Sequence, residues 1–153
     1  MGKDIRILIV DDHEVVREGL RRLLEQEKDM RIMGTCANGK EALIMAAVRS
    51  PNIVLMDIRM PIVNGLEATH LLSESRLFCK VIILSMYGDY LAEAMQSGAR
   101  GYLVKGMKRG ELAQAIRQVH RGELVISESI TSKPQIDVVN QRNGTLPEPN
   151  TSA

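Results

Sequence analysis

The stretch Asn52–Gly65, NIVLMDIRMPIVNG, runs four consecutive apolar residues, Ile53–Met56, straight into the carboxylate of Asp57. An unbroken apolar run of this kind, closed by Pro61 and a final Asn-Gly pair, is typical of a strand buried on both faces, as in a parallel sheet. Aspartate is a poor strand residue, and a buried carboxylate is unfavourable unless another group pairs with it. The sequence therefore predicts a buried strand ending at a carboxylate whose partner lies elsewhere in the chain.

Around this strand, short apolar runs alternate with helical patterns. The other predicted strands are Ile5–Val10, Met30–Thr35, Val81–Leu84 and Gly101–Val104. The predicted helices are Glu14–Glu25, with Val15, Val16, Leu20, Leu23 and Leu24 on one side, a helix capped by Asn38 and running to Arg49, Leu66–Ser73, Asp89–Gln96 ending at Gly98, and Glu111–Arg121 ending at Gly122. Five strand-helix units in succession predict an α/β, flavodoxin-like (βα)5 fold. Its doubly wound, five-stranded parallel sheet would have the order 2-1-3-4-5.

Composition narrows the class of protein further. The 153 residues suffice for one domain, and an aromatic content of only 3% predicts an aliphatic core. A net charge of +1 gives no overall electrostatic reason to expect binding to nucleic acid or to an anionic membrane. No apolar run approaches the roughly 20 residues of a membrane span, and no signal-peptide pattern opens the chain. Cys36 and Cys79 have neither metal-binding nor redox spacing, which fits a reducing cytoplasm. Together with the lack of a membrane span, this predicts a cytoplasmic protein with no membrane contact.

The composition changes near Ser127, after which Ser, Thr, Asn, Gln and Pro dominate and the chain closes with GTLPEPNTSA. Such a segment lacks the apolar residues of a second core. We therefore predict a folded domain over residues 1–126 and a linker or tail over residues 127–153.

Polar side chains follow four of the predicted strands. Asp11 and Asp12 follow the first, Asp57 the third and Ser85 the fourth, and the fifth runs into Lys105. In a doubly wound sheet these strand ends form the edge at which ligands bind. Neighbouring carboxylates raise one another's pKa unless a cation joins them, and oxygen ligands suit Mg²⁺. The sequence predicts a Mg²⁺ site at this edge, and the metal would partly compensate the buried aspartate.

Four motifs, ILIVDD, VLMDIRMP, VIILS and GYLVK, each end a predicted strand. In this order they resemble the receiver domain of two-component response regulators, over roughly Ile5 to Ile126. The sequence ARGYLVKG and the helix after it are most similar to the LuxR or NarL-type subfamily, which joins a receiver to a helix-turn-helix domain. The resemblance implies a phosphorylated switch that controls transcription.

The resemblance also implies a role for each acidic residue. Asp57 matches the phosphoacceptor, which would attack the phosphorus of a phosphohistidine on a sensor histidine kinase, or of a small acyl phosphate. Asp12 would bind Mg²⁺ directly and Asp11 largely through water, with Asp57 and the backbone carbonyl of Arg59 as further ligands. Such a protein is a phosphoacceptor rather than an enzyme that turns over an external substrate.

Three further residues match the switch of the family. Lys105 would pair with a phosphoryl oxygen, Ser85 would hydrogen-bond another and draw its loop inward, and Tyr102 matches the aromatic that turns inward with that loop. Each also has an ordinary interpretation, as a solvated lysine, a loop hydroxyl and a half-buried strand tyrosine.

Two features depart from the family pattern. The segment Ser85–Lys105 is about two residues shorter than usual, which predicts a shortened, displaced or mobile fourth helix in the most irregular part of the fold. In addition, no helix-turn-helix follows, so DNA binding would require an effector domain absent from this chain. The linker-like ending favours a receiver excised from a longer transcription factor over one that stands alone.

Three other functions fit the sequence less well. A receiver-like interaction module independent of phosphorylation fits the short segment but not the intact acidic edge. A haloacid-dehalogenase-type phosphatase needs a second aspartate where Arg59 stands, and a flavodoxin needs a Ser/Thr/Gly-rich loop where DDHEVV stands.

Partner surfaces are predicted only broadly. A homodimer could form through the first or fifth helix, or through the face made by the fourth helix, fifth strand and fifth helix. The basic residues Lys108, Arg109, Arg117 and Arg121 fit a solvated face as well as an interface. The histidines, His13, His70 and His120, show no metal-binding spacing and are expected at the surface, and only His13 adjoins the acidic pair.

Overall fold

Six strands and six helices alternate over residues 4–131, the part of the chain that the computed structural model describes. The strands are β1 (Ile5–Val10), β2 (Met30–Cys36), β3 (Ile53–Met56), β4 (Lys80–Ser85), β5 (Gly101–Val104) and β6 (Val125–Ile126). The helices are α1 (Glu14–Leu24), α2 (Gly39–Arg49), α3 (Gly65–Ser73), α4 (Leu91–Gln96), α5 (Arg109–His120) and α6 (Glu128–Thr131). Every predicted strand and helix is present, with small differences at the ends.

The strands form one parallel sheet in the order β2-β1-β3-β4-β5-β6. The predicted order of the first five strands is therefore confirmed. The sixth strand was not predicted, because two residues are too few to show a periodic pattern. The order sets the carboxyl ends of β1, β3, β4 and β5 side by side, and these are the ends that carry the predicted site.

The core lies on both faces of the sheet. All four residues of β3 are buried, which explains its unbroken apolar sequence. Successive strand residues point to opposite faces, so Ile53 and Leu55 pack with α1 and α5, whereas Val54 and Met56 pack with α2 and α3. As predicted, the core is mainly aliphatic, since Tyr102 is its one fully buried aromatic among the described residues.

The apolar side of α1 differs from the prediction at one residue. Val16, Leu20 and Leu23 are partly buried and Leu24 is fully buried, but Val15 is 84% exposed. Each residue of a helix advances about 100°, so Val15 lies off the stripe that its successor Val16 begins.

Of the three predicted alternatives for the fourth helix (shortened, displaced or mobile), the structure has a short helix. Helix α4 has 6 residues, whereas α1, α2, α3 and α5 have 9 to 12. Its N-cap residue, Tyr90, makes no side-chain capping bond. The helix ends, as predicted, just before Gly98, whose φ of 101° lies in the left-handed region that favours glycine.

Two of the basic residues of α5 bind the loop after α1. Arg117 reaches Glu27 at 2.7 Å and Asp29 at 2.8 Å, and Arg109 reaches Glu27 at 3.2 Å. The hydrogen bond from Arg117 lowers the pKa of Asp29. These two arginines therefore fix α5 to its neighbour and do not form a free basic face.

The histidines are only partly as expected. His13 and His70 are exposed, but His120 is half-buried, and that burial, with the charges of Lys80 and Arg6, lowers its pKa. His120 is thus only partly at the surface, and Lys80 Nζ lies 3.4 Å from its backbone carbonyl oxygen.

The predicted tail begins inside the described region. Ile130 of α6 is only 4% exposed and belongs to the core, and Ser127 is buried beside β5. Residues 132–153 of the predicted tail lie outside the described residues. Within residues 4–131, every helix is too short or too polar to cross a lipid bilayer.

Candidate functional site

The loop after β3 is built closely around Asp57. Its backbone N–H donates to the carbonyl of Val10 at 2.9 Å, and its Oδ1 accepts the N–H of Ile58 at 2.9 Å. Gly65 N donates back to the carbonyl of Ile58 at 2.8 Å, so the start of α3 presses on the same turn. A Cβ at Gly65 would lie 1.9 Å from the carbonyl oxygen of Asp57, so only glycine fits there. The carboxylate is thus held in a fixed place, and Asp57 as a whole is only 8% exposed.

Lys105 supplies the partner that a buried carboxylate requires. Its Nζ lies 3.2 Å from Oδ1 of Asp57 and 2.9 Å from Oδ2 of Asp11, whose side chain is only 3% exposed. The backbone N–H of Lys105 donates to the carbonyl of Ser85 at 2.8 Å, which ties its position to the end of β4. The structure therefore brings Asp11, Asp57 and Lys105 together as the sequence predicted, and the solvated interpretation of Lys105 is wrong.

Asp12 and His13 complete the acidic edge. Asp12 is more open, with its side chain 31% exposed, and Nδ1 of His13 lies 3.0 Å from an oxygen of Asp11 and 3.0 Å from an oxygen of Asp12. The hydrogen bond with Asp11 and the charges of both aspartates raise the pKa of His13. His13 thus joins the cluster, although its spacing in the sequence gave no metal-binding pattern.

The cluster could hold a hard cation. Ligand atoms of Asp11, Asp12, His13 and Asp57 all lie within 4.8 Å of one another. Three of the four groups are carboxylates, the donors that Mg²⁺ prefers, and two of these, Asp11 and Asp57, are buried where a charge needs compensation. The backbone carbonyl of Arg59 follows in the same loop as Asp57.

The pKa values of Asp57 and Lys105 are shifted by burial and by the close approach of the two carboxylates. Burial, followed by the charge of Asp11, raises the pKa of Asp57, while Lys105 opposes the shift. Burial by itself would lower the pKa of Lys105, but its hydrogen bonds and ion pairs with Asp11 and Asp57 raise it. A carboxylate that resists ionisation in the free protein gains most from an added cation.

The raised pKa of Asp57 leads to a prediction for stability. A carboxyl whose pKa is higher in the folded than in the unfolded state binds more protons when folded, so its ionisation weakens folding as the pH rises through that window. Without metal at neutral pH, Asp57→Asn is expected to raise the midpoint of thermal unfolding by about 3 °C. The gain should shrink as the pH falls and wild-type Asp57 takes up a proton.

This prediction can be checked by thermal unfolding at several pH values, with and without Mg²⁺. Asp89→Asn is the matched control, because Asp89 is an exposed aspartate that lines the same cavity of about 170 Å³ as Asp57, and its substitution should change little. Added Mg²⁺ should reduce the advantage of Asp57→Asn by stabilising the wild type. A variant less stable than the wild type at neutral pH would contradict the argument.

Ser85 and Tyr102 both form hydrogen bonds with the backbone of Tyr87, in the loop that follows β4. The Ser85 hydroxyl accepts the N–H of Tyr87 at 3.3 Å, and the Tyr102 hydroxyl donates to the carbonyl of Tyr87 at 2.7 Å. Tyr102 is fully buried rather than half-buried. Asp57, Ser85 and Lys105 line a common cavity of about 170 Å³.

Two residues at the site were missed by sequence reasoning. Tyr90 lines the same cavity, where the Arg59 guanidinium lies 5.9 Å from its ring centroid and Nη2 lies 3.4 Å from its hydroxyl. Arg17 donates from Nη1 to the carbonyl of Asp11 at 2.7 Å. The helical spacing of Arg17 from His13 could have suggested its position, but nothing in the sequence pairs Arg59 with Tyr90.

The chain is similar to a known family and to several known proteins. The profile of the response regulator receiver domain family matches residues 7–117. The chain is 45% identical to the transcriptional regulatory protein LnrK of Bacillus subtilis over 100 residues, which are 64% of this chain and 46% of that protein. It is 40% identical to the response regulator UvrY of Escherichia coli K12 over 100 residues, again 64% of this chain and 46% of that protein. The chain thus spans about half the length of these curated relatives.

The solved structures that are similar to this fold include response regulators. The fold is similar to a LuxR-family two-component response regulator from Aurantimonas sp. SI85-9A1, with a TM-score of 0.80 and 32% identity over 89% of this chain and 99% of that one. It is also similar to the receiver domain of the response regulator NarL from Mycobacterium tuberculosis, with a TM-score of 0.76 and 28% identity over 79% of this chain and 99% of that one.

Proposed function

The chain belongs to the family of response regulator receiver domains, and on that premise we propose that Asp57 accepts a phosphoryl group from the phosphohistidine of a sensor histidine kinase. The observation that carries this proposal is that Lys105 bridges Asp57 and Asp11, with its Nζ 3.2 Å from the carboxylate of Asp57 and 2.9 Å from that of Asp11. Two-component signalling needs a nucleophilic carboxylate next to positive charge, and this edge of the sheet provides both.

The proposed transfer needs alignment and charge neutralisation more than covalent help from the protein. An oxygen of Asp57 attacks phosphorus, the phosphorus–nitrogen bond of the phosphohistidine breaks, and the imidazole nitrogen leaves with the electron pair. The product is an acyl phosphate on Asp57. Lys105 is placed to pair with a phosphoryl oxygen as a point charge while it keeps its contact with Asp11.

The acidic residues support a role for Mg²⁺. Asp11, Asp12, Asp57 and the carbonyl of Arg59 are the residues that would hold it. When bound, the ion would neutralise negative charge on the transferring phosphoryl group and offset the repulsion between Asp11 and Asp57. The contacts of His13 and Lys105 with Asp11 would then have to be shared or released.

Phosphorylation would act on the chain as a population shift. The new group adds charge and acceptor oxygens beside Ser85, and so favours a loop arrangement in which the Ser85 hydroxyl reaches it. The Tyr102 hydroxyl is bonded to the same loop and would move with it. Almost complete switching requires a difference of about 5.5 kcal/mol between the two states, so several contacts must change together.

The partners follow from the site and the family. An apolar hollow of about 310 Å³ lies next to Lys105 and is lined by Val16, Leu20, Met86 and Leu112, among others. We place the kinase on this hollow, because it would bring the phosphohistidine to the carboxyl edge of the sheet. The family membership supports a cytoplasmic location.

We infer that the output on DNA is carried by a separate effector domain. By analogy with relatives that are transcriptional regulators about twice as long, DNA would be bound only through an effector domain beyond this receiver. For a homodimer, the α1 and α5 surfaces are favoured over the face made by α4, β5 and α5, because β6 and α6 lie along β5.

One observation favours the alternative function, an interaction module that works without phosphorylation. Helix α4 has only 6 residues, so the usual output surface of the family is reduced. The intact set of Asp11, Asp57 and Lys105 would then be a structural ion cluster and not a reaction site.

The two functions are separated by the intact mass of the protein after incubation with acetyl phosphate. With Mg²⁺ present, the chain is expected to gain one phosphoryl group. With the metal removed by a chelator, the gain should fall to background, because the crowded carboxylates are left without a cation. No gain from acetyl phosphate or from a cognate kinase would favour the interaction module.

A further inference from the structure

The turn between β1 and α1 carries the acidic pair of the site, and its buried member is bonded on every side. Asp11 is only 2% exposed. Its N–H donates to the carbonyl of Cys36 at 3.0 Å, its Oδ1 accepts the N–H of His13 at 2.9 Å, and its Oδ2 accepts from Nζ of Lys105 at 2.9 Å. The remaining polar group, the backbone carbonyl, accepts from Nη1 of Arg17 at 2.7 Å.

Arg17 reaches back to this turn from α1. Its own N–H donates to the carbonyl of His13 at 3.0 Å, and His13, the N-cap residue, makes no side-chain capping bond. Burial, followed by the charge of Glu41, raises the pKa of the Cys36 thiol to about 11, and the charge of Arg17 opposes this rise, so the guanidinium also lies near the end of β2. Arg17 thus links the helix to the turn in place of a capping side chain.

The carbonyl that Arg17 binds belongs to the peptide that joins Asp11 to Asp12. Because this peptide is planar, a bond that fixes its carbonyl also fixes the N–H of Asp12 and the direction in which the chain enters that residue. The Asp12 side chain is 31% exposed, and its neighbour at 3.0 Å is the exposed ring of His13. The placement of the Asp12 carboxylate therefore depends mainly on the backbone of the turn.

We propose that Arg17 is a positioning residue for the Mg²⁺ site, because its hydrogen bond to the carbonyl of Asp11 orients the peptide that presents Asp12 to the metal. This inference rests on the proposed function, in which Asp12 is a ligand of the ion. Without its donor the carbonyl would be buried and unpaired, which is unfavourable, and the turn would rotate it toward water. Groups that orient metal ligands in this way typically contribute about 10- to 100-fold to metal affinity.

A role of Arg17 through its charge alone predicts the opposite result. A guanidinium near a cluster of carboxylates repels Mg²⁺, so removing that charge would strengthen metal binding. The hydrogen bond of Arg17 is instead directed at a backbone carbonyl, and its loss changes the geometry of the turn. Arg17→Met removes both the donor and the charge, so the sign of its effect on metal binding separates the two roles.

The first test titrates the full chain with Mg²⁺ and follows the backbone amide resonances of the acidic edge by NMR. Arg17→Met should raise the dissociation constant about tenfold. The control Arg22→Met changes an exposed arginine of the same helix and should leave the constant unchanged. Arg17→Lys keeps a charged donor and should restore part of the affinity. Equal or tighter binding by Arg17→Met would overturn the positioning role alone, whereas a wild type that binds no Mg²⁺ would overturn the proposed metal site itself.

The second test needs no metal and separates positioning from a general loss of stability. In Arg17→Met, the amides of Asp11 and His13, which are bonded within the turn, should exchange with solvent about tenfold faster, while the amides of β3 stay protected. Faster exchange along the whole of α1 with unchanged Mg²⁺ affinity would show a purely structural role and overturn the proposal. If Arg17→Met folds poorly, Arg17→Gln removes the charge, shortens the side chain and should weaken Mg²⁺ binding in the same direction.

Phosphorylation by acetyl phosphate gives a third readout. In Arg17→Met, the Mg²⁺ concentration that gives half of the maximal rate should rise about tenfold, while the rate at saturating Mg²⁺ should stay within about twofold of the wild type, because Asp57 and Lys105 keep their contact. A lower maximal rate with an unchanged dependence on Mg²⁺ would show that Arg17 does not act through the metal site.

Discussion

Asp57→Ala is expected to gain no mass when the protein is incubated with acetyl phosphate and Mg²⁺, whereas the wild type gains one phosphoryl group. The reason is the position of the Asp57 carboxylate in the site. Asp57 is the carboxylate that Lys105 Nζ approaches at 3.2 Å within a common cavity, and Asp11 is only 3% exposed behind it. No other group in the cluster has both the positive neighbour and access to the cavity.

The matched control is Asp89→Asn, which changes an exposed aspartate lining the same cavity and should leave phosphorylation unchanged. Circular dichroism of both variants would show that the fold is retained. Phosphorylation of Asp57→Ala would show that another group accepts the phosphoryl, with Asp12 and His13 as the nearest exposed candidates.

Gly65→Ala should lower the free energy of unfolding by about 3 kcal/mol or more, because overpacking against backbone cannot be relieved by a side-chain rotation. The added Cβ would lie 1.9 Å from the carbonyl oxygen of Asp57 and 2.8 Å from Cα of Ile58. Either the start of α3 or the turn after β3 must move. Since that turn carries the phosphoacceptor, the rate of phosphorylation should fall as well.

Gly19→Ala provides the contrast. Gly19 lies inside α1 with nothing within 4 Å of a Cβ at that position, so alanine should stabilise the protein by about 1 kcal/mol through helix propensity. Chemical denaturation of the two variants and the wild type measures both effects. A Gly65→Ala protein as stable as Gly19→Ala would mean that the loop around Asp57 is not as tightly packed as the structure indicates.

Much of the fold could be predicted because its signals are local. The apolar runs of β1, β3 and β5 were located to the residue, and Asn38 caps α2 as predicted, accepting the N–H of Glu41 at 2.9 Å. The order of the first five strands followed from the handedness of crossovers. Val15 was misplaced because one apolar residue beside a stripe looks like part of it in the sequence.

The site was predictable to the level of strand ends and no further. The sequence by itself determined that Asp11, Asp57 and Lys105 would meet at one edge, because each follows an apolar strand and parallel strands end together. Only the tertiary structure decided that Lys105 bridges the two carboxylates, that His13 contacts both Asp11 and Asp12, and that Ile130 closes over Gly88. These contacts join residues as far as 94 positions apart and depend on side-chain direction and packing, which no local periodicity encodes.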